Sequence, residues 1–195
     1  MIPAFLQDLS LPVALSAYCA NVDPYIQQSS NEKEHVVDLE RGGVSCFVTA
    51  ATQGQAEDAA GKYFEVRNPN RKDFALLQID HGIINTNITK CDCAIADNKE
   101  LCFIEFKANA TSSKTSSLRH NYKKAMRQLG ATITYFTNGI RAAGNELTSL
   151  RSIEAYVCFR HGFPRKSAAE MGYQTEFALQ NNGCPLSFEP LKELN

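Results

Sequence analysis

Apolar residues fall along this chain in two rhythms. From Ser117 to about Ala143, Leu118, Tyr122, Met126, Leu129, Ile133, Phe136 and Ile140 recur at spacings of three and four. That is the period of one buried helix face. A long helix is expected there, with Ser116 or Ser117 as N-cap and Gly144 as its stop. On either side lie short, dense apolar runs. Phe74–Ile79 reads as a first buried strand, Lys90–Lys107 as two strands joined by a tight turn, and Ser152–Phe159 as a further strand. Thr175–Leu179 and Leu186–Phe188, separated by Asn181-Asn182-Gly183, suggest a terminal hairpin.

The N-terminal third is less regular. Ile2, Phe5, Leu6, Leu9, Val13 and Ala17 are compatible with helical spacing interrupted by Pro12. Ser29 or Ser30, followed by Glu32 and Glu34, reads as a helix start leading to Glu40. Val44–Ala50 suits a strand, with a helix through Ala56 as the alternative, and Gln53–Phe64 favours helix. Arg67–Lys72, Ala110–Ser117 and residues 160–172 are loop-like. From Gln53 the order is helix, strand, strand, strand, long helix, strand. That alternation predicts an α/β fold, a central mixed β-sheet flanked by helices on both faces. The expected layout is one domain over 1–195. Residues 1–50 form a helical extension, 53–160 the core and 161–195 a terminal hairpin.

A register argument concentrates attention on the Lys90–Lys107 hairpin. If Asn98 and Lys99 form its loop, Asp97 pairs with Glu100 and Ala96 with Leu101, so paired residue numbers sum to 197. Asp92 then faces Glu105 on one side of the sheet, and Lys107 shares that side because strands repeat every two residues. Directly opposed Cβ atoms lie roughly 4.5–5.5 Å apart, and like charges placed there repel. A slip of one residue would send Asp92 to the other face.

Composition narrows the function classes without choosing one. A net charge of −1 gives no global attraction to nucleic acid, so such binding must come from a local patch. The seven cysteines are odd in number, and several lie in apolar runs, which favours buried free thiols in a reducing compartment over a disulfide framework. Met1–Cys19 lacks Lys and Arg, and no run approaches the ~20 apolar residues of a membrane span, so a cytoplasmic protein with no membrane partner is expected.

The chemistry of Asp92, Glu105 and Lys107 is that of phosphate-ester hydrolysis. Two fixed carboxylates offer hard oxygen ligands suited to Mg²⁺ or Mn²⁺. Such a cation lowers the pKa of water and screens developing negative charge, while a neighbouring Lys can hold the phosphate or the water. The bland alternative, a solvated sheet face, fits poorly with so apolar a strand at 101–107, because charges buried there need partners.

Asp92, followed after a short strand and turn by Glu105-Phe106-Lys107, resembles the PD-(D/E)XK nuclease superfamily, the restriction-endonuclease-like fold. The resemblance covers roughly residues 55–160 in a strand–turn–strand–helix context, and Cys91 stands where the pattern often has Pro. It implies that Asp92, Glu105 and the Phe106 carbonyl bind Mg²⁺, that Lys107 orients or activates the attacking water, and that the phosphodiester is cut in line. It further implies an acidic ligand from the preceding helix, here Glu57, for which an ordinary solvent-facing Glu is the alternative. In some exonuclease-type relatives a glutamine of the long helix lies near the metal, here Gln128.

Other candidates frame this cluster. Lys114, Arg119, Lys123, Lys124 and Arg127, with His120, form a basic stretch that reads either as a solvated helix face or as phosphate contacts. Asp80 and His81 close the first strand and are candidates to approach the cluster, although a lone His is more often a packing residue. Cys91-x-Cys93 with Cys102 lacks paired zinc spacing, and alternation puts Cys91 and Cys93 opposite Asp92, so packing is preferred. The expected function is a metal-dependent endo- or exonuclease acting on DNA, with RNA not excluded, and a homodimer or larger complex is the candidate assembly. The alternative from another class is a catalytically inactive nuclease-fold module that binds nucleic acid or protein. A weaker one is a phosphoesterase on small nucleotides.

Overall fold

The computed structural model describes residues 2–39, 43–50, 53, 63–107, 114–145, 152–159 and 167–194. Helices α1 (Ala4–Asp8) and α2 (Leu11–Ala14) and a 3₁₀ turn (Asp23–Tyr25) precede strands β1 (Ile26–Ser29), β2 (Lys33–Leu39), β3 (Val44–Phe47), β4 (Tyr63–Arg67) and β5 (Phe74–Gln78). There follow β6 (Cys93–Ala96), β7 (Glu100–Lys107), α3 (Thr115–Ala142), β8 (Ser152–Phe159), α4 (Ser167–Gln180), β9 (Leu186–Ser187) and β10 (Leu191–Glu193).

The fold is α/β with two mixed sheets. The central sheet has the order β1-β5-β6-β7-β8-β9, antiparallel up to β7 and parallel from β7 to β9. The second sheet has the order β10-β4-β2-β3, with only β10 and β4 parallel. Side-chain alternation divides the core in two. Leu77, Ala94, Leu101, Phe103 and Val157 face α1, α2, α3 and α4, whereas Leu76, Ile95, Cys102, Ile104 and Tyr156 face Val36, Phe47, Phe64 and Val66 of the second sheet. Among the described residues the helices therefore lie on one face and a sheet covers the other, where helices on both faces were expected. The helix expected over Gln53–Phe64 lies largely outside the described residues, and Tyr63 and Phe64 belong to β4.

Two further expectations are corrected. Of the stretch from Ser29 to Glu40, the described residues 29–39 close β1 and form β2, not a helix. Ser29 Oγ donates to Glu34 Oε1 at 2.6 Å and Asn31 Nδ2 to the same oxygen at 2.6 Å, so the Ser–Glu chemistry of a helix cap closes the β1–β2 turn instead. At the other end, 175–179 is helical and the terminal hairpin is absent. Asn182 and Gly183 do take positive φ, as a hairpin turn requires, but they use it to end α4, with Gly183 N–H bonding to Ala178 O at 2.8 Å. The helical spacing at the N-terminus is interrupted near Pro12 as expected: Pro12 lies in the first turn of the separate helix α2, where Val13 is exposed.

Helix α3 begins two residues earlier than expected, and Lys114 occupies its N-cap without a side-chain cap bond, displacing Ser116 and Ser117 from that role. Its end is as expected. Gly144 has φ +83°, its N–H bonds to Arg141 O at 3.0 Å, and Asn145 N–H reaches Ile140 O at 3.1 Å. Among the described residues no helix is long and apolar enough to cross a membrane.

Candidate functional site

The β6–β7 ladder has the register derived from the two-residue loop. Cys93 pairs with Ile104, Ala94 with Phe103, Ile95 with Cys102 and Ala96 with Leu101. The loop is closed by Asp97, whose N–H bonds to Glu100 O at 3.0 Å and whose Oδ1 accepts from Lys99 and Glu100 N–H at 2.7 Å each.

Strand β6 stops at Cys93 while β7 continues to Lys107, and this mismatch builds the site. By the same register Phe106 would bond to residue 91. Instead the chain turns away at Asp92, whose carbonyl accepts from Ile79 and Asp80 N–H at 3.0 Å each, and Cys91 N–H goes to Thr132 Oγ1 of α3 at 2.8 Å. The Phe106 N–H is taken by the Asp92 carboxylate, Oδ2, at 2.5 Å. Asp92 thus replaces a ladder bond with its side chain, at the end of the sheet where β5 and β7 finish. The N–H and C=O of one strand residue point to the same neighbour, so the Phe106 carbonyl also faces the gap that β6 leaves.

Glu105 is 2% exposed, on the helix side of β7. One carboxylate oxygen, Oε1, is ion-paired with Lys107 Nζ, and Oε2 is buried with no hydrogen-bond partner among the described residues. Lys107 Nζ also donates to Gln128 Oε1 at 2.8 Å, and Gln128 Nε2 donates to the Lys90 carbonyl at 2.9 Å. Gln128 therefore belongs to the cluster. Its spacing on α3, one turn before Thr132, brings both to the point where the chain enters β6.

Burial pushes the Glu105 carboxyl up to about 7, against the pull of Lys107, with Asp38 adding to the rise and Lys124 opposing it. Asp92 is raised well above the usual carboxylate range by burial, then by Glu105 and Asp38. This is an electrostatically unfavourable pair of acids with one lysine, a combination that clusters at functional sites.

The remaining candidates divide. Lys124 lies on the same helix row as Gln128 and acts on Glu105. Lys123 and Arg127 instead line a groove between α3 and α4, opposite Glu176, Gln180 and Asn181. Lys114 and Arg119 are exposed on the first turns of α3. Asp80 Oδ1 is 3.0 Å from Lys90 Nζ and accepts His81 N–H at 2.9 Å, so it meets the cluster through Lys90. Glu57 lies outside the described residues. Cys91 and Cys93 fall in different cores, one on the helix side and one between the sheets, because the bend at Asp92 breaks the alternation. The described cysteines are free.

Residues missing from the sequence reading are Asp38, Ser45, Lys90 and Thr132. The signal for the first two is an apolar run, Gly42-Gly43 and a second apolar run, which marks a hairpin. Among the described residues no three His, Cys, Asp or Glu side chains stand together as a ready metal-binding group. Comparison with family models, with curated proteins and with solved structures gave no match for the chain.

Proposed function

We propose that the chain is a nuclease of the restriction-endonuclease-like kind that cuts phosphodiester bonds of DNA with the help of Mg²⁺ or Mn²⁺. The observation that carries this reading is the break in β6. It leaves Asp92, Glu105, the Phe106 carbonyl and Lys107 converging on one gap at the sheet end. The antiparallel β5–β6–β7 meander, the crossover through α3 and the parallel β8 support the same reading, since that topology delivers an acid from the second strand and an acid and a lysine from the third.

The donor set suits a hard divalent cation. Glu105 Oε2 is a buried, unpartnered oxygen, Asp92 has a second oxygen beyond the one bonded to Phe106, and the nearby thiols are buried and protonated. Asp92, Glu105 and the Phe106 carbonyl would hold the ion. A bound cation supplies Lewis acidity and offsets charge on the reacting phosphate. Lys107, fixed by Gln128, presents an ammonium that orients a phosphate oxygen or the attacking water. Lys124, and beyond it Lys123 and Arg127, offer contacts to the DNA backbone, which set register and carry no sequence information.

A second reading, an inactive module of the same fold, is favoured by Lys107 spending its ammonium on Glu105 and Gln128. The two differ in a cleavage assay. Purified protein with Mg²⁺ or Mn²⁺ is expected to nick or degrade DNA, EDTA to stop it, and Glu105→Ala or Lys107→Ala to lower the rate by a hundredfold or more. DNA binding without cleavage identifies the module, and undiminished cleavage in both variants removes the site from the reaction.

A further inference from the structure

We infer that the Thr132 hydroxyl is a positioning group for the cation site. It holds the sheet open at Cys91, so that the Phe106 carbonyl and the Asp92 carboxylate stay turned to the gap. The inference rests on the metal-dependent reading above. Thr132 lies on α3 and is fully buried.

In an antiparallel ladder, hydrogen-bonded pairs alternate with non-bonded ones. The bond from Asp97 N–H to Glu100 O marks the first such pair, so Ile95–Cys102 and Cys93–Ile104 are the next two. One more step would join Cys91 to Phe106, with Cys91 N–H on the Phe106 carbonyl and Phe106 N–H on the Cys91 carbonyl. Both donors are used elsewhere. Thr132 Oγ1 takes the Cys91 N–H at 2.8 Å, and Asp92 Oδ2 takes the Phe106 N–H at 2.5 Å.

The helix grips both ends of one peptide group. The Lys90 carbonyl, which shares that group with the Cys91 N–H, accepts from Gln128 Nε2 at 2.9 Å, one helical turn before Thr132. Thr132 Oγ1 donates to the Gln128 carbonyl at 3.0 Å. With its single proton spent on the helix, the hydroxyl has only lone pairs left to offer Cys91. Past Cys91, the Asp92 carbonyl is held by Ile79 and Asp80 N–H at 3.0 Å each. The backbone at Lys90–Asp92 is thus fixed on α3 and on the end of β5, and the Asp92 side chain is what meets Phe106. Without the hydroxyl, the buried Cys91 N–H has another acceptor in reach of the register, the Phe106 carbonyl. That extra ladder pair would occupy a proposed cation ligand and displace Asp92 from Phe106 N–H. Losing the hydroxyl therefore closes the site without removing every partner of the buried donor.

The test is Mn²⁺ affinity, read by electron paramagnetic resonance of free ion, for the wild-type chain, Thr132→Val, Thr132→Ser and Glu105→Gln, with thermal midpoints in EDTA to show that each is folded. Thr132→Val keeps the shape without the hydroxyl and is expected to weaken binding about tenfold or more. Thr132→Ser keeps the hydroxyl and is expected to bind as the wild type does. Thr132→Ala, smaller and equally without the hydroxyl, gives the same comparison should the Val variant not fold. Wild-type affinity in a folded Val or Ala variant, with Glu105→Gln weakened, overturns the role of Thr132 and leaves the nuclease reading standing. Equal weakening in Thr132→Ser and Thr132→Val assigns the effect to packing of the threonine methyl and overturns that role as well. Mn²⁺ binding that is absent from the wild type at millimolar concentration, or unchanged in Glu105→Gln, overturns both.

Discussion

Glu105 stands in a strand buried as far as Phe106, with an ammonium on one oxygen and no partner among the described residues on the other. Its carboxyl is pushed up from 4.5 to about 7. The sign of the consequence follows directly. Below pH 4.5 folded and unfolded chains both hold this proton, and between 4.5 and 7 only the folded chain does. Stability from Glu105 is therefore full at low pH and lost as pH rises through 7, with about 3 kcal/mol at stake for a shift of this size. Glu105→Gln keeps the shape and removes the charge. In EDTA at pH 8 it is expected to stabilise the fold by roughly 1–3 kcal/mol, with little effect at pH 4.5, as measured by urea unfolding. A loss of stability at pH 8 would show that the Glu105–Lys107 pair is a structural asset instead. The register as far as the Cys93–Ile104 pair, and with it the shared face of Glu105 and Lys107, was legible from the sequence because a two-residue loop and period-two alternation fix it. The turn of the chain out of the ladder at Asp92 was not, since it depends on the Thr132 hydroxyl of α3, nor was Asp38, since its visibility depends on recognising β2 as a strand.

Among the elements, α3 shows where local pattern suffices and where it does not. Its apolar period and its glycine stop reflect bonds within the helix, and both are readable from spacing. Its tertiary fit is not. Gly139 lies against α2, where an added Cβ would come within 2.4 Å of the Ala14 carbonyl oxygen. In an exposed helix Gly→Ala gains about 1 kcal/mol, but here backbone must move. Gly139→Ala is expected to lower stability by about 1–3 kcal/mol in thermal or urea unfolding, whereas a gain would mean that the helices separate freely. The same limit explains Asn182-Gly183 and Ser29–Glu34. Positive φ serves a hairpin or a helix end, and a Ser–Glu bond serves a cap or a strand turn. Which one forms is decided by the neighbour across the core, β8 for the chain end and β4 for β2.

At the scale of the whole molecule, two polar clusters bracket the interlayer core. At the end opposite the site, Lys192 of β10 reaches Glu100 Oε2 at 2.7 Å and Glu154 Oε1 at 2.9 Å, and Tyr156 Oη donates to Glu154 Oε2 at 2.5 Å. Both carboxylates of that cluster reach the one lysine, which ties β10 to the central sheet, and burial raises its Tyr156 hydroxyl. The cluster at Asp92 also sets two carboxylates against one lysine, but it leaves Glu105 Oε2 without a partner among the described residues. The second sheet that carries Asp38 could not be anticipated from a helix–strand count. Its strands are short, charged on the outer face through Lys33, His35, Glu65 and Arg67, and separated by long stretches of sequence. What distinguishes a cation site from a buried ion pair is whether a metal enters that gap. The direct measurement is an anomalous difference map of crystals soaked in Mn²⁺. The expected result is a peak at about 2.0–2.2 Å from an Asp92 oxygen and Glu105 Oε2. A map without density there, in crystals where Lys107 stays on Glu105 at saturating Mn²⁺, would contradict the account.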